Sequence, residues 1–237
     1  MIILPTMRAG LSTFSPLSLS PALWLSDTGS DPSVWPDLSG NGRHAVQATG
    51  ASQPAIVTGE LNGRQVRRFD GGDWFETSVV PFDWCAAVTI FWITKAIGHC
   101  IQIESHNFNA NAAFIVSSEP GGFNLAGLNT GYGYSIAQEY ESTTGDFHVC
   151  SSVLNTDLET NEAVIYRDGI ERTVSRPWWN TNSLGGFASN SVFIGCRDGA
   201  GYFMLGDMAE IIIYPYALDA FKRQSVERFL NLKWLLY

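Results

Sequence analysis

Adjacent tryptophans beside amides are the part of this sequence best suited to chemistry at a surface. Pro177-Trp-Trp-Asn-Thr-Asn182 sets two indole rings, Trp178 and Trp179, next to the side-chain amides of Asn180 and Asn182, in a stretch of loop composition. Tyr132-Gly-Tyr134 and His106-Asn-Phe-Asn-Ala-Asn111 have the same character. Sugars lay their C–H faces on aromatic rings while amides, carboxylates and backbone groups bond the hydroxyls, and such recognition needs little formal charge. Trp178, Trp179, Asn180, Asn182, Tyr132 and Tyr134 are therefore the candidate sugar contacts. The competing role for the two tryptophans is to seal one end of the fold or to touch a neighbouring subunit.

Other chemistries are poorly served. No G-x-S-x-G elbow, H-E-x-x-H pair or phosphate-binding P-loop occurs, and Gly131-Tyr-Gly133 lacks the third glycine of a dinucleotide loop. His44, His99, His106 and His148 are scattered. His99 and Cys100, as neighbours on a strand, would point to opposite faces, so no metal site is expected. Cys85, Cys100, Cys150 and Cys196 form no C-x-x-C pair and read as free core thiols.

Those residues must be positioned by a body of 237 residues with 45% hydrophobic content, enough to bury a core. Charged residues are only 16%, and 23 glycines stand among many Ser, Thr and Asn residues, which suits a β-rich body with many loops. The net charge of −9, from 14 basic and 23 acidic residues, excludes nucleic acid as a partner and disfavours an anionic membrane surface. Ala86–Thr94 and Ala209–Tyr214 are far shorter than the ~20 apolar residues that span a bilayer. The apolar Met1-Ile-Ile-Leu4 is cut by Pro5 and lacks a preceding basic region, so it does not read as a signal peptide.

Strand-like runs recur at Ala22–Ser26, Gln65–Phe69, Ala87–Thr94, Ala112–Ser117, Phe147–Leu154, Glu162–Arg167, Ser191–Cys196 and Asp207–Tyr214, with Gly, Pro, Asn and Asp between them. Ala209-Glu-Ile-Ile-Ile-Tyr214 is apolar enough for a central strand covered on both faces. Asp37-Leu-Ser-Gly-Asn-Gly42 reads as a turn nucleated by Asp37, and Asp168-Gly169 as a hairpin before a strand at Ile170–Val174. One helix is expected, Ala220–Lys233, capped by Asp219 and carrying apolar Phe221, Val226, Phe229 and Leu230. The apolar end Trp234-Leu-Leu-Tyr237 should pack on the body or on a neighbour. Residues 1–20 read as an extended N-terminal arm and residues 21–237 as one domain.

From Ser20 the order of motifs resembles the concanavalin A-like lectin/glucanase superfamily, in its laminin-G-like branch. The likeness rests on Pro21-Ala-Leu-Trp-Leu25 with Trp35-Pro-Asp-Leu-Ser-Gly-Asn-Gly-Arg-His-Ala45, and on Leu61-Asn-Gly-Arg-Gln-Val-Arg-Arg-Phe-Asp-Gly71. It is completed by Ser191-Val-Phe-Ile-Gly195, Gly206–Tyr214 and the helix ending at Trp234. The resemblance implies an all-β fold: a two-sheet antiparallel jelly-roll sandwich with an N-terminal arm and one C-terminal helix. Ser15-Pro-Leu-Ser-Leu-Ser-Pro-Ala-Leu-Trp-Leu25 is similar to the opening of phage virion and bacterial surface proteins of this kind.

Glycosidases of the superfamily carry E-x-D-x-x-E on one strand, where two carboxylates hold a fixed separation across the scissile bond. The nearest passage here is Asp157-Leu-Glu-Thr-Asn-Glu162, with Asp and Glu exchanged, and it falls in what reads as a loop between strands. The expectation is no enzyme. The resemblance also raises calcium, for which Asp70-Gly-Gly-Asp73 and Asp198-Gly-Ala-Gly201 are the candidates. Calcium takes six to eight oxygens and neither run supplies them alone, so both read as turns and no cofactor is expected.

The leading functional expectation is a non-enzymatic structural protein of a phage virion, as capsid decoration (cement) or a tail or fibre component. Its partners would be other virion proteins and further copies of itself. The alternative is a carbohydrate-binding or adhesion module for host-surface glycan, and a glycoside hydrolase is third.

Overall fold

The computed structural model of the protein describes residues 14–98, 100–106, 112–119, 123–129, 134–139, 145–158, 161–175 and 185–237. Two antiparallel sheets face each other. The first runs, edge to edge, β14 (Ile170–Glu171), β13 (Ala163–Arg167), β12 (His148–Asn155), β7 (Ala87–Ala96), β17 (Leu205–Tyr214), β5 (Arg64–Asp70) and β4 (Ala55–Leu61), with β1 (Leu23–Leu25) also paired to β17. The second runs β15 (Val174–Ser175), β11 (Tyr134–Glu139), β10 (Phe123–Asn129), β9 (Ala113–Glu119), β8 (Cys100–Ser105), β16 (Val192–Ile194), β6 (Phe75–Thr77), β3 (Ala45–Val46) and β2 (Val34–Trp35). The helix α1 (Ala220–Trp234) covers the outer face of the first sheet. The result is three layers with two large cores, and a small third cluster of Ile101, Ile115 and Ile136 is buried on the second sheet.

The main core lies between the sheets. Val88, Ile90 and Trp92 of β7 point into it, and meet Phe69, Phe75, Phe114, Ile103 and Ile194. Alternate residues Phe91 and Ile93 of the same strand point outward to Val226, Leu230 and Trp234 of the helix. A strand rich in β-branched and aromatic residues with both faces covered is buried along almost its whole length. β17 serves both cores in the same way, as its composition predicts.

A bulge sets which way β17 points. Register shifts between Met208 and Glu210 where β17 pairs with β7. Met208 and Ile211 enter the inter-sheet core, while Ala209 and Ile212 join the helix-side core. The extra residue turns the strand's phase and aims Glu210 at the helix. There its carboxylate accepts the indole N–H groups of Trp24 and Trp234 and pairs with the Lys233 ammonium at 2.9 Å. Burial pushes the Glu210 carboxyl above the usual range, and the Lys233 charge and the two indoles oppose that rise. Lys233 also pairs at 2.7 Å with Asp27, which Arg64 reaches as well. Burial alone would raise Asp27, but Lys233 and Arg64 outweigh it and hold its carboxyl at about 2.

The helix begins where the sequence indicates. Asp219 is extended and its carboxylate accepts the Lys222 N–H at 2.9 Å. Phe221, however, is 80% exposed. Val226, Leu230 and Trp234 recur every four residues on the buried face, and Phe221 lies five before Val226, about 140° away around the axis. Of the last residues, Trp234 and Leu236 pack inward, whereas Leu235 and Tyr237 are exposed.

Residues 14–20, the described part of the arm, lie on the chain's own helix layer. The Phe14 ring meets Phe229 edge-on at 6.4 Å, and the Tyr214 hydroxyl donates to the Pro16 carbonyl. Trp24 and Trp35 are buried, and all four cysteines are free thiols, three of them buried.

The turn chemistry follows the sequence closely. Asp37 accepts the Ser39 N–H at 2.9 Å as an Asx turn, and also the N–H groups of Trp24 and Arg43. Asp168 and Gly169, at φ 52° and 77°, turn β13 into β14. The strand expected after them stops at Glu171, and Val174–Ser175 pairs instead with β11 of the other sheet.

Candidate functional site

One end of the sandwich gathers four connections. The link from β6 to β7 crosses it, and so does the chain entering β16; Val80 N donates to the Asn190 carbonyl and Phe187 N to that of Cys85, both at 2.8 Å. The link from β12 to β13 is fastened there by Thr156, whose N–H and hydroxyl both donate to the Ala86 carbonyl and whose hydroxyl also reaches the Gly185 carbonyl. The β8–β9 connection joins them through Ala188 N to the Ala112 carbonyl and His106 N to that of Ser191. Beneath lies a floor of buried rings: Phe114 stands edge-on to Phe82 at 5.4 Å and to Phe187 at 6.0 Å. The connections are thus anchored to the core by rigid aromatic packing.

At this end the chain makes an unusual turn. Cys85 N donates to the Phe82 carbonyl at 2.8 Å, and the two central residues, Asp83 and Trp84, are both left-handed at φ 49° and 58°. That is the backbone of a turn that favours Asn-Gly, and for L-residues the left-handed region costs roughly 1–2 kcal/mol each. A single side chain secures it. The Ser189 hydroxyl accepts the N–H groups of Phe82 and Asp83 and donates to the Asp83 carboxylate, at 3.1, 3.0 and 3.1 Å. Gly186 runs so close that a Cβ there would stand 2.1 Å from the Trp84 carbonyl oxygen. The turn leaves the Trp84 side chain 68% exposed. Cys85, next in line, is half-buried: burial pushes its thiol up, and it donates to the Ala87 carbonyl.

Trp178, Trp179, Asn180, Asn182 and Tyr132 lie outside the described residues, as do residues 107–111. Tyr134 opens β11, paired with Asn129. Described residues on one or both sides of each segment come together; the exception is Ser175, ahead of the tryptophan segment, which pairs with Gln138 farther along β11. Asn129 pairs with both Tyr134 and Ala113, Ala112 is bonded to Ala188, and Gly185 to Thr156. All belong to the end that carries Trp84.

The carboxylates of the glycosidase-like passage are not arrayed on a strand. β12 ends at Asn155 and β13 starts at Ala163. Asn155 N donates to the Glu162 carbonyl, closing the connection, and the Asn155 side chain accepts the Asp157 N–H; Glu159 lies outside the described residues. At the opposite end, Asp70 and Asp73 are spent on the chain itself: Asp73 accepts the Asp70 N–H and Asp70 that of Gly72, each at 2.9 Å. Asp198 N donates to buried Glu104, which also faces Arg197. No group of three metal-ligating side chains occurs among the described residues.

Trp84 is the residue that the sequence did not announce. Pro81 and Asp83 suggest a turn, but Asp-Trp does not favour left-handed backbone. The conformation is imposed by Ser189, more than a hundred residues further along the chain.

No protein-family model and no curated protein matches this sequence. Solved structures do match. The ligand-binding domain of botulinum neurotoxin serotype D, in complex with N-acetylneuraminic acid, is 12% identical with a TM-score of 0.64, over 90% of this chain and 52% of that one. The receptor-binding domain of botulinum neurotoxin D gives 12% and 0.66, over 91% and 54%. A sialidase of Trypanosoma rangeli, in complex with the inhibitor DANA, gives 14% and 0.57, over 86% and 32%. The fold is a jelly-roll β-sandwich. The chain spans about half the length of the neurotoxin chains that it matches, and likeness at this identity speaks for the fold.

Proposed function

We propose that the chain is a non-enzymatic carbohydrate-binding module of the concanavalin A-like lectin/glucanase type. The observation that carries this reading is the convergence at one end of the sandwich. Asn129 and Tyr134, His106 and Ala112, and Gly185 border the three aromatic- and amide-bearing segments and meet there beside the Phe82–Phe114–Phe187 floor. Ser175, which precedes the tryptophan segment, lies opposite Gln138 of β11 on a strand that runs towards the same end. Trp178, Trp179, Asn180, Asn182, Tyr132 and Tyr134 are the proposed contacts, rings for sugar faces and amides for hydroxyls. Similarity to structures described as ligand-binding and receptor-binding domains, one holding N-acetylneuraminic acid, supports binding over catalysis. So does the placement of Asp157 and Glu162 in a connection, where their separation is not set by a strand. A structural part on a phage particle gains no support from these neighbours.

The test is an oligosaccharide array probed with the intact protein and with the Trp178→Ala/Trp179→Ala double variant. We expect binding to a defined subset of glycans, weakened at least about tenfold in the variant, in keeping with tryptophan hot spots. Absence of binding to every glycan on the array would overturn the reading.

A further inference from the structure

The loop end holds a second aromatic element, fixed by described residues throughout. We propose that Trp84 is a stacking platform for an uncharged sugar ring; this rests on the carbohydrate-binding reading and names its ligand class. Three observations carry it. The first is exposure: a large indole stands in solvent on a body that buries Trp24, Trp35, Trp92 and Trp234. The second is the cost of keeping it there. Two successive non-glycine residues hold left-handed backbone, the Ser189 hydroxyl makes three hydrogen bonds to one turn, and Gly186 leaves no room for a side chain. Strain of this kind persists where its surroundings impose it, and it concentrates at ligand contacts. A platform held still before binding loses little entropy on binding.

The third observation sets the ligand class. The described segments that border the Trp84 turn, residues 78–86, 156–158, 161–162 and 185–191, hold Asp83, Asp157 and Glu162 and no lysine or arginine. An anionic sugar would meet like charge there. A neutral ring meets an aromatic face, with the exposed Asp83 beside it to accept hydroxyl hydrogens. Val79, exposed on the same connection as Trp84, and Leu158, exposed on the β12–β13 connection, add apolar surface at this end.

The experiment measures affinity for neutral oligosaccharides and for their sialylated counterparts, lactose against 3′-sialyllactose among the pairs. It uses the full chain, Trp84→Ala, Trp84→Phe and Ser189→Ala. We expect binding to neutral members, at least about tenfold weaker in Trp84→Ala and largely kept in Trp84→Phe, with little change on raising the salt. Ser189→Ala, as a positioning change, should weaken the full chain but have no further effect on top of Trp84→Ala. An unchanged melting temperature in Trp84→Ala separates lost contact from lost fold. Glycan binding that is indifferent to Trp84→Ala, or confined to sialylated members, overturns the platform and leaves the module reading intact. If no glycan binds, both fall.

Discussion

Trp24 and Trp234 on one side of the molecule and Trp84 at its end show two opposite uses of the same side chain. Trp24 is buried beneath α1 and Trp234 is that helix's last residue, and both indole N–H groups donate to one carboxylate, Glu210, which Lys233 also neutralises. There a bulge in β17 supplies the carboxylate and the side chains hold the layer together. At the other site the backbone is strained, a serine hydroxyl and a glycine keep it so, and the indole stands 68% exposed. A side chain that stabilises is surrounded, whereas one that recognises is displayed and its support lies behind it. Stability changes should therefore be large at the helix and small at the turn, with binding changes in the reverse order.

The largest expected effect is at Glu210. Glu210→Ala orphans two buried indole N–H groups and removes one partner of Lys233, and should cost about 3–5 kcal/mol in urea unfolding. A loss below about 1 kcal/mol would mean that the helix layer is held by apolar contact alone. Next comes Gly186→Ala, whose Cβ must displace the backbone of Trp84 and Cys85. About 1–3 kcal/mol is expected, with glycan affinity falling alongside.

A smaller effect concerns pH. The Asp27 carboxyl lies below its unfolded value, so it contributes stability that is present above about pH 4 and fades as the pH falls towards about 2. Asp27→Asn should lose about 1 kcal/mol at neutral pH, after allowing for solvent screening, and converge on the parent only below about pH 2. Parallel unfolding curves for the two proteins across that window would contradict this. Smallest of all, Trp84→Ala should change stability by less than about 0.5 kcal/mol.

The sandwich was legible wherever a strand is buried on both faces or a turn carries its own chemistry. β7, β12 and β17 announce themselves by β-branched and aromatic runs, and Asp37, Asp168-Gly169 and Asp219 by local hydrogen bonding. β4, reading Ala-Ile-Val-Thr-Gly-Glu-Leu, was missed because it is half exposed and interrupted by Gly59. β10 and β11, with small residues at Ala126, Gly127 and Ala137, lack strand-like bulk. The bulge at Ala209 left no trace, since Ala-Glu inside an apolar run looks like any other pair. At the candidate site the amide- and aromatic-bearing segments were legible by composition. Trp84 was not, because its backbone depends on a residue distant in sequence.

The outermost strands have a further consequence. β14, β15 and β2 are two residues long, and the pairing of β4 is broken between Val57 and Leu61. The two-residue edges give an incoming strand almost no run of unpaired N–H and C=O groups to extend, and the irregularity at Gly59 bends the seven-residue edge of β4. Among the described residues, then, the sheets present poor templates for strand addition, whether by another copy or by a peptide. A partner must be met through side chains and connections, so specificity can change by exchanging loop residues while the sandwich that carries them keeps its register.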